Sequence, residues 1–128
     1  ESLRVVNDQF GAPTPAALIA DVTAHVVARL LRTDTPTPPG GIYHLTASGS
    51  ASWHGFAKAI VTQAVALGVD LKLAADAIEA IPTSGYPLPA PRPANSRLDC
   101  SKLESAFGLH LPAWQTLLPN ILADILTP

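Results

Sequence analysis

Sulfur-containing residues are almost absent from this chain, whose 128 residues include no methionine and one cysteine, Cys100. A single cysteine cannot form an internal disulfide, and the cysteine and histidine spacings do not resemble a zinc site. A reducing, cytoplasmic compartment is therefore expected. The missing initiator methionine predicts that the chain is a fragment cut from a longer protein.

Charge is also scarce. Charged residues make up 14% of the chain, and eight Lys and Arg against ten Asp and Glu give a net charge of -2. Nucleic-acid binding needs a clustered basic surface, which this balance does not supply. No segment has the roughly eighteen uninterrupted apolar residues that a membrane span requires, and the first residues lack a signal-peptide pattern. We therefore expect no nucleic-acid partner and no membrane association.

Apolar residues and proline are plentiful, at 48% of the chain and thirteen residues respectively. This length and composition predict one domain over residues 1–128. Five of the prolines stand at positions 82, 87, 89, 91 and 93. They exclude an α-helix from 82–93 and favour a stiff, extended segment.

Helical periodicity covers much of the remaining chain. Apolar residues recur at helical spacing over 16–32, with Thr14 as the predicted N-cap and Pro15 at the first helical position. Ser52 is the predicted N-cap of a second helix over 53–67, which Gly68 ends. Trp53, at the start of that helix, is expected to pack in the core.

Two further helices are predicted near the C-terminus. Asp99 or Ser101 can cap a short helix, the latter in a capping box with Glu104, and Gly108 ends it. The last helix should begin between 114 and 116, because Pro119 is tolerated only in a first turn. Short strands are predicted at 3–6 and 41–46. Residues 71–81 could form a short helix or a strand, and a short strand at 78–81 is preferred. The fold class is therefore mixed α/β, rich in helix, with a few short strands.

Several catalytic motifs are absent. The eight glycines never take the close spacing of a dinucleotide-binding turn. Neither tyrosine is followed four residues later by lysine, because Ala47 and Ala90 occupy those positions. No nucleophile elbow, zinc-protease motif or phosphate-binding P-loop occurs. We therefore predict no catalytic residue, no cofactor-binding residue and no metal site in this chain.

Two loops nevertheless have features of a ligand site. The first, residues 5–14 (VVNDQFGAPT), runs from a strand through a Gly/Pro turn to a helix N-terminus, an arrangement that favours anions. The second, residues 90–99 (APRPANSRLD), places Arg92 between two prolines. A guanidinium on a stiff backbone is suited to bidentate binding of a phosphate.

These two loops, together with GIYHLTASG at 41–49 and SWHGFA at 52–57, resemble the C-terminal part of the dTDP-4-dehydrorhamnose reductases. The four motifs occur in the family's order over nearly the whole chain. That family belongs to the extended short-chain dehydrogenase/reductases. The resemblance implies that this chain is the small, helix-rich C-terminal substrate domain, and that the N-terminal Rossmann half lies outside it.

The resemblance also implies an activity, which is NADPH- or NADH-dependent reduction of the 4-keto group of dTDP-6-deoxy-L-lyxo-4-hexulose to dTDP-L-rhamnose. The missing Rossmann domain would bind the cofactor and supply the catalytic tyrosine and lysine. This chain would bind the dTDP-sugar, and the fragment alone would be inactive. Some members bridge subunits through a metal held by glutamates, but Asp124 stands in the C-terminal turn here, so no metal is predicted.

Carried over residue by residue, the resemblance places seven residues at the sugar-nucleotide cleft: Gln9, Gly11, Pro13, Thr14, Arg92, Asn95 and Ser96. A solvated surface arginine is the alternative for Arg92, and turn chemistry is an equal alternative for Gln9. Arg97 is more simply structural or solvated.

Two alternatives stay open for the function. The same pattern occurs in the regulatory subunit of methionine adenosyltransferase, so a non-catalytic regulatory or binding subunit is possible. A stand-alone nucleotide-sugar-binding domain is the other. Exposed apolar surface at the position of the missing half further predicts self-association, so a homo-oligomer is a possible partner state.

Overall fold

A computed structural model describes residues 2–126 of the chain. In that range the fold is mixed α/β and dominated by helix, as the sequence predicts. Four strands and four α-helices follow in the order β1 (Leu3–Val6), β2 (Phe10–Gly11), α1 (Ala16–Leu30), β3 (Ala51–Ser52), α2 (Trp53–Ala66), β4 (Ile78–Ile81), α3 (Ser101–Phe107) and α4 (Trp114–Leu126).

Strands β1 and β4 form a parallel pair, in a register that runs from Leu3 opposite Ile78 to Val6 opposite Ile81. Both strands are confirmed where the sequence predicts them. Parallel strands need a long crossover connection, and here α1 and α2 both lie in it. Helix α2 packs against both strands.

A second, shorter pair joins the first loop to the start of α2. Strands β2 and β3 run antiparallel, with Phe10 opposite Ser52 and Gly11 opposite Ala51. The sequence analysis does not predict this pair, because two residues per strand leave no periodic signal. The pairing fixes the position of the first loop beside the N-terminus of α2.

The strand predicted at 41–46 is wrong, since these residues form no ladder. Ile42 is 81% exposed, and Tyr43 packs edge-on against Phe107 with 5.4 Å between ring centroids. The Tyr43 hydroxyl donates to the Pro39 carbonyl. The segment is therefore held in place by packing of the Tyr43 side chain against α3, and not by pairing with a neighbouring strand.

The first two helices lie close to their predicted ranges but begin differently. Ser52 caps α2 as predicted, because its Oγ accepts from Gly55 N at 3.0 Å. Thr14 does not cap α1: Pro15 occupies the N-cap, and Thr14 Oγ1 donates to Ala12 O at 2.9 Å instead. Gly68 has φ of 86° just after α2, which confirms it as the residue that ends that helix.

Helix α3 ends at Gly108 in the left-handed conformation, as predicted. Asp99 Oδ1 accepts from Ser101 N at 2.9 Å at its start. The capping box is wrong, because Glu104 Oε1 accepts from Leu111 N at 2.8 Å and so joins α3 to the next segment. Helix α4 begins at Trp114 as expected, but Pro119 lies beyond its first turn, contrary to prediction.

The main core lies between α1, α3 and α4. Phe107 and Trp114 are its largest buried side chains, and the Trp114 ring meets Phe56 of α2 edge-on at 5.6 Å. The other buried members are Leu18, Val22, Ala47, Leu103, Leu111, Leu118 and Leu122. Within residues 2–126, no helix combines the length and apolar character that crossing a membrane would need.

The proline-rich segment starts with one 3-10 turn at Thr83–Gly85 and then continues without helix or strand. Both of its ends bind the first loop. Asp8 accepts hydrogen bonds from Thr83 at one end, and Phe10 exchanges backbone hydrogen bonds with Ala94 and Ser96 at the other. We call residues 83–96 the arginine loop, because it carries Arg92.

Candidate functional site

The described part of the chain has a cleft of about 740 Å³. It lies between the first loop, the start of α2, the face of α4 and the arginine loop. Its size falls in the range of roughly 300–1,000 Å³ usual for small-molecule sites. The lining residues comprise Gln9–Pro15, Thr46, Ala51, Ser52, Trp53, Phe56, Arg92, Pro93, Ser96, Trp114, Leu118 and Ile121.

A second groove, of about 650 Å³, runs along β1 and the arginine loop. It shares Gln9, Trp53 and Arg92 with the cleft, so the two cavities meet at these three side chains. The remainder of its lining is mostly apolar and includes Val5, Tyr86 and Leu88. A ligand longer than the cleft could therefore extend past Arg92 into the groove.

Three helices begin at the cleft. Pro15 precedes α1, while Trp53 and Trp114 are the first residues of α2 and α4, and all three residues line the cavity. The N-terminal end of a helix carries a partial positive charge. The ends of these helices and the Arg92 guanidinium therefore favour an anionic ligand.

Arg92 is the single charged side chain among the described residues that line the cleft. It is exposed and has no ion-pair partner in the range 2–126. Arg97, by contrast, lies outside the lining and donates its Nε proton to Asn95 Oδ1 at 2.9 Å. Arg92 thus has an unpaired guanidinium at the cavity, whereas the guanidinium of Arg97 is hydrogen-bonded to Asn95.

The predicted site residues of the first loop all line the cleft. At Gly11 a Cβ atom would lie 2.8 Å from Ser96 Oγ, so this residue packs closely against the arginine loop. Thr14 Oγ1 accepts from Ala47 N at 3.1 Å. Gln9 is 8% exposed, and its Nε2 donates to Thr83 Oγ1 at 3.0 Å. Gln9 therefore combines an interior position with access to both cavities.

In the arginine loop the structure divides the predicted residues. Arg92 and Ser96 line the cleft, whereas Asn95 does not. Ser96 Oγ donates to Phe10 O at 3.0 Å, and Asn95 Oδ1 accepts from the backbone and side chain of Arg97. Asn95 thus shapes the loop, while a ligand contact for it stays a prediction.

Trp53 corrects the sequence analysis. It was expected in the core, but it is 54% exposed and lies where the cleft meets the groove. Phe56, one helical turn later, is the residue that packs against the core, where it is partly buried beside Trp114. Amphipathic spacing does not show which residue of a first helical turn is buried, because no earlier turn of the helix defines the buried face.

Thr83 and Asp8 form a contact that the sequence analysis does not predict, and of the two only Thr83 lines a cavity, the groove. Thr83 N lies 2.9 and 3.0 Å from the two Asp8 carboxylate oxygens, and Thr83 Oγ1 lies 2.6 Å from Oδ1. These hydrogen bonds favour the carboxylate and so hold the pKa of Asp8 below its usual value. The bond from the Thr83 hydroxyl has the largest effect, and the bond from Thr83 N comes second. The two residues are 75 positions apart, and no local signal links them.

Among residues 2–126, no group of three or more His, Cys, Asp and Glu side chains is placed to hold a metal ion. The cleft also lacks a glycine-rich turn at a strand end that could hold a dinucleotide pyrophosphate. Its lining is suited to binding and orienting a ligand.

An apolar cleft with one arginine, closed by two loops, is the arrangement of a substrate-binding domain. The chain belongs to the RmlD substrate binding domain family, whose model matches residues 1–127. The resemblance inferred from the sequence is therefore confirmed.

Relatives with curated names agree. The chain is 45% identical over 99% of its length to the dTDP-4-dehydrorhamnose reductase of Burkholderia thailandensis, and 42% identical over 99% to that of Escherichia coli K12. It spans 43% and 41% of these two proteins, so it corresponds to less than half of each.

Solved structures show the same fold. The dTDP-4-dehydrorhamnose reductase of Bacillus anthracis, crystallised in complex with NADP, superposes with a TM-score of 0.75 at 25% identity. The Clostridium acetobutylicum orthologue superposes with a TM-score of 0.74 at 30% identity. The chain is covered to 97% and 99%, and corresponds to 38% and 39% of the two proteins.

Proposed function

We propose that this chain is the sugar-nucleotide-binding part of a dTDP-4-dehydrorhamnose reductase. The complete protein would reduce the 4-keto group of dTDP-6-deoxy-L-lyxo-4-hexulose to dTDP-L-rhamnose. NADPH or NADH, bound outside this chain, would supply the hydride to C4. A tyrosine, also outside this chain, would give the proton to the oxygen.

The observation that carries this proposal is the unpaired Arg92 guanidinium at an otherwise uncharged cleft. A nucleoside diphosphate sugar has a diphosphate in its middle and less charged groups at both ends. Arg92, where the cleft and the groove meet, can bind the diphosphate while the two cavities take the nucleoside and the sugar.

The chain's contribution to catalysis would be orientation. Binding energy from the nucleotide, which takes no part in the reaction, would hold the keto carbon in line with the hydride donor. The exposed Trp53 ring gives the cleft a flat apolar wall, and the helix N-termini place partial positive charge near the diphosphate.

Arg92→Ala in the full-length protein tests the proposal. Loss of a charged hydrogen bond should raise the KM for the sugar nucleotide about ten- to a hundredfold, since such bonds contribute roughly 1.5–3 kcal/mol. The Kd for NADPH should not change. Arg92→Lys should recover only part of the loss, because lysine cannot bind two oxygens with a planar fork.

Arg97→Ala is the matched control. It removes an arginine five positions away that lies outside the cleft lining, so the KM should stay within about twofold of the unsubstituted value. Equal KM values for Arg92→Ala and the unsubstituted protein would contradict the assigned role. Sugar-nucleotide binding without turnover in the full-length protein would instead favour a regulatory or binding subunit.

A further inference from the structure

Gln9, Thr83 and Asp8 form a chain of hydrogen bonds with one direction. The Thr83 hydroxyl has a single proton, and its oxygen lies 2.6 Å from Asp8 Oδ1. An ionised carboxylate only accepts hydrogen bonds, so the proton points to Asp8. The same hydroxyl oxygen can then only accept from Gln9, whose Nε2 lies 3.0 Å away.

This direction settles which end of the Gln9 amide faces Thr83. An amide turned by 180° would bring its carbonyl oxygen against a hydroxyl whose proton is already committed. Two acceptors would then face each other in a nearly buried position, which is unfavourable because neither oxygen has a proton to donate. The Gln9 NH2 group is therefore held toward Thr83 and its Oε1 away from it.

Oε1 of Gln9 has no hydrogen-bond partner in the described part of the chain. It also retains solvent contact, since the one fully buried, unpartnered side-chain polar atom within residues 2–126 is Trp114 Nε1. Gln9 lines both cavities, as do Arg92 and Trp53. The site thus presents an oriented acceptor, beside a cation and an aromatic ring.

We propose that Thr83 and Asp8 are positioning residues that fix the Gln9 amide, so that Gln9 Oε1 accepts a hydrogen bond from an N–H or O–H group of the bound nucleotide sugar. This inference rests on the proposed function for the identity of the ligand. The orientation of the amide depends only on the three side chains.

Steady-state kinetics of the full-length protein test the relay. Thr83→Val removes the hydroxyl at nearly constant shape, so the sugar-nucleotide KM should rise about fivefold, with kcat unchanged, for the loss of roughly 1 kcal/mol. Thr83→Ser keeps the hydroxyl and should stay within about twofold of the unsubstituted KM. A KM for Thr83→Ser equal to that of Thr83→Val would overturn the proposal.

A double-mutant cycle separates positioning from a structural role. If Thr83 acts through Gln9, adding Thr83→Val to Gln9→Ala should change the KM by less than about twofold. Effects that multiply in the double variant would mean that Thr83 acts independently of Gln9, and would overturn the proposal.

Hydrogen exchange of the Gln9 side-chain amide in the unsubstituted full-length protein gives a readout independent of activity. One Nε2 proton should exchange more slowly than the other, and Thr83→Val should remove the difference. Two equally fast protons would overturn the orientation even if Thr83→Val does not fold. A protein that fails to reduce the sugar nucleotide yet keeps the protected proton would refute the proposed function and leave the orientation standing.

Discussion

A Cβ atom on Gly11 would lie 2.8 Å from Ser96 Oγ. Real Cβ atoms do not approach another atom this closely, so a larger residue at this position would have to displace the Ser96 hydroxyl or move the first loop away from the arginine loop. Ser96 is held in place by donating from both Oγ and N to Phe10 O, at 3.0 and 2.8 Å. The contact couples the two walls of the cleft.

Gly11→Ala should displace the Ser96 hydroxyl from Phe10 O and loosen the contact between these walls. Overpacking of this kind costs about 1–3 kcal/mol, and we expect a lower melting temperature with a raised KM for the sugar nucleotide. Gly40→Ala is the control, because nothing lies within 4 Å of the Cβ position there. Identical melting temperatures and KM values for the two variants would contradict the coupling.

Ser52→Ala should destabilise the fold more than a typical serine replacement. Ser52 Oγ accepts from Gly55 N at 3.0 Å and donates to Asn7 Oδ1 at 2.7 Å, in a residue only 7% exposed. Loss of the cap and of the link to Asn7 should cost about 1–2 kcal/mol, measured by thermal unfolding of the full-length protein. Ser105→Ala, at an exposed position of α3, should change stability by less than about 0.5 kcal/mol.

Trp114→Ala should mainly lower the stability of the protein, whereas Trp53→Ala should mainly weaken the binding of dTDP. Trp53 is 54% exposed and Trp114 is 7% exposed. Trp114→Ala should cost about 3–5 kcal/mol of stability. Trp53→Ala should shift the melting temperature by less than about 2 °C, yet raise the Kd for dTDP about fivefold through loss of an aromatic contact of roughly 1 kcal/mol. Calorimetric titration with dTDP measures the Kd, and an unchanged Kd would exclude Trp53 from the site.

Stability should depend on pH through Asp8. Its folded-state pKa lies below the unfolded value of about 3.9, so the carboxylate stabilises the fold above that pH. This contribution is lost as the pH falls through the folded-state pKa. Asp8→Asn should therefore be less stable than the unsubstituted protein at neutral pH, and the difference should shrink as the pH falls through the folded-state pKa of Asp8.

Urea unfolding at several pH values measures this difference. Asp21→Asn is the control, because Asp21 is exposed on α1 and has no side-chain hydrogen bond among the described residues. Its stability difference should stay small at every pH. If the difference in unfolding free energy between Asp8→Asn and the unsubstituted protein does not decrease in acid, the Thr83 contacts do not favour the carboxylate.

Local signals in the sequence predict much of the fold. Ser52 as a cap and Gly68 and Gly108 as helix ends are confirmed, because each role depends on residues within one or two turns. The strand at 41–46 is wrong because a strand needs a partner, and composition cannot show that Tyr43 packs on Phe107 instead.

Two sequence motifs contain most of the predicted site residues that line the candidate cleft. Gln9, Gly11, Thr14, Arg92 and Ser96 line the cleft, and both motifs are continuous in sequence. The contribution of Thr83 was not predictable from local pattern, since it depends on the β1–β4 register that brings Ile81 beside Val6. The exposure of Trp53 likewise follows from tertiary packing, since Phe56 takes the interior position.

The arginine loop leaves and rejoins the chain at nearly the same place. Thr83 is bound to Asp8, and Ser96 to Phe10, across sequence separations of 75 and 86 residues. Such distant contacts form late, because the closure of a long loop must precede any gain from them. During synthesis, the two loops cannot join until Ser96 has left the ribosome, and the cleft is complete only after Ile121, the last of its lining residues, has followed. Arg92 therefore reaches its binding position only after most of the domain has been made.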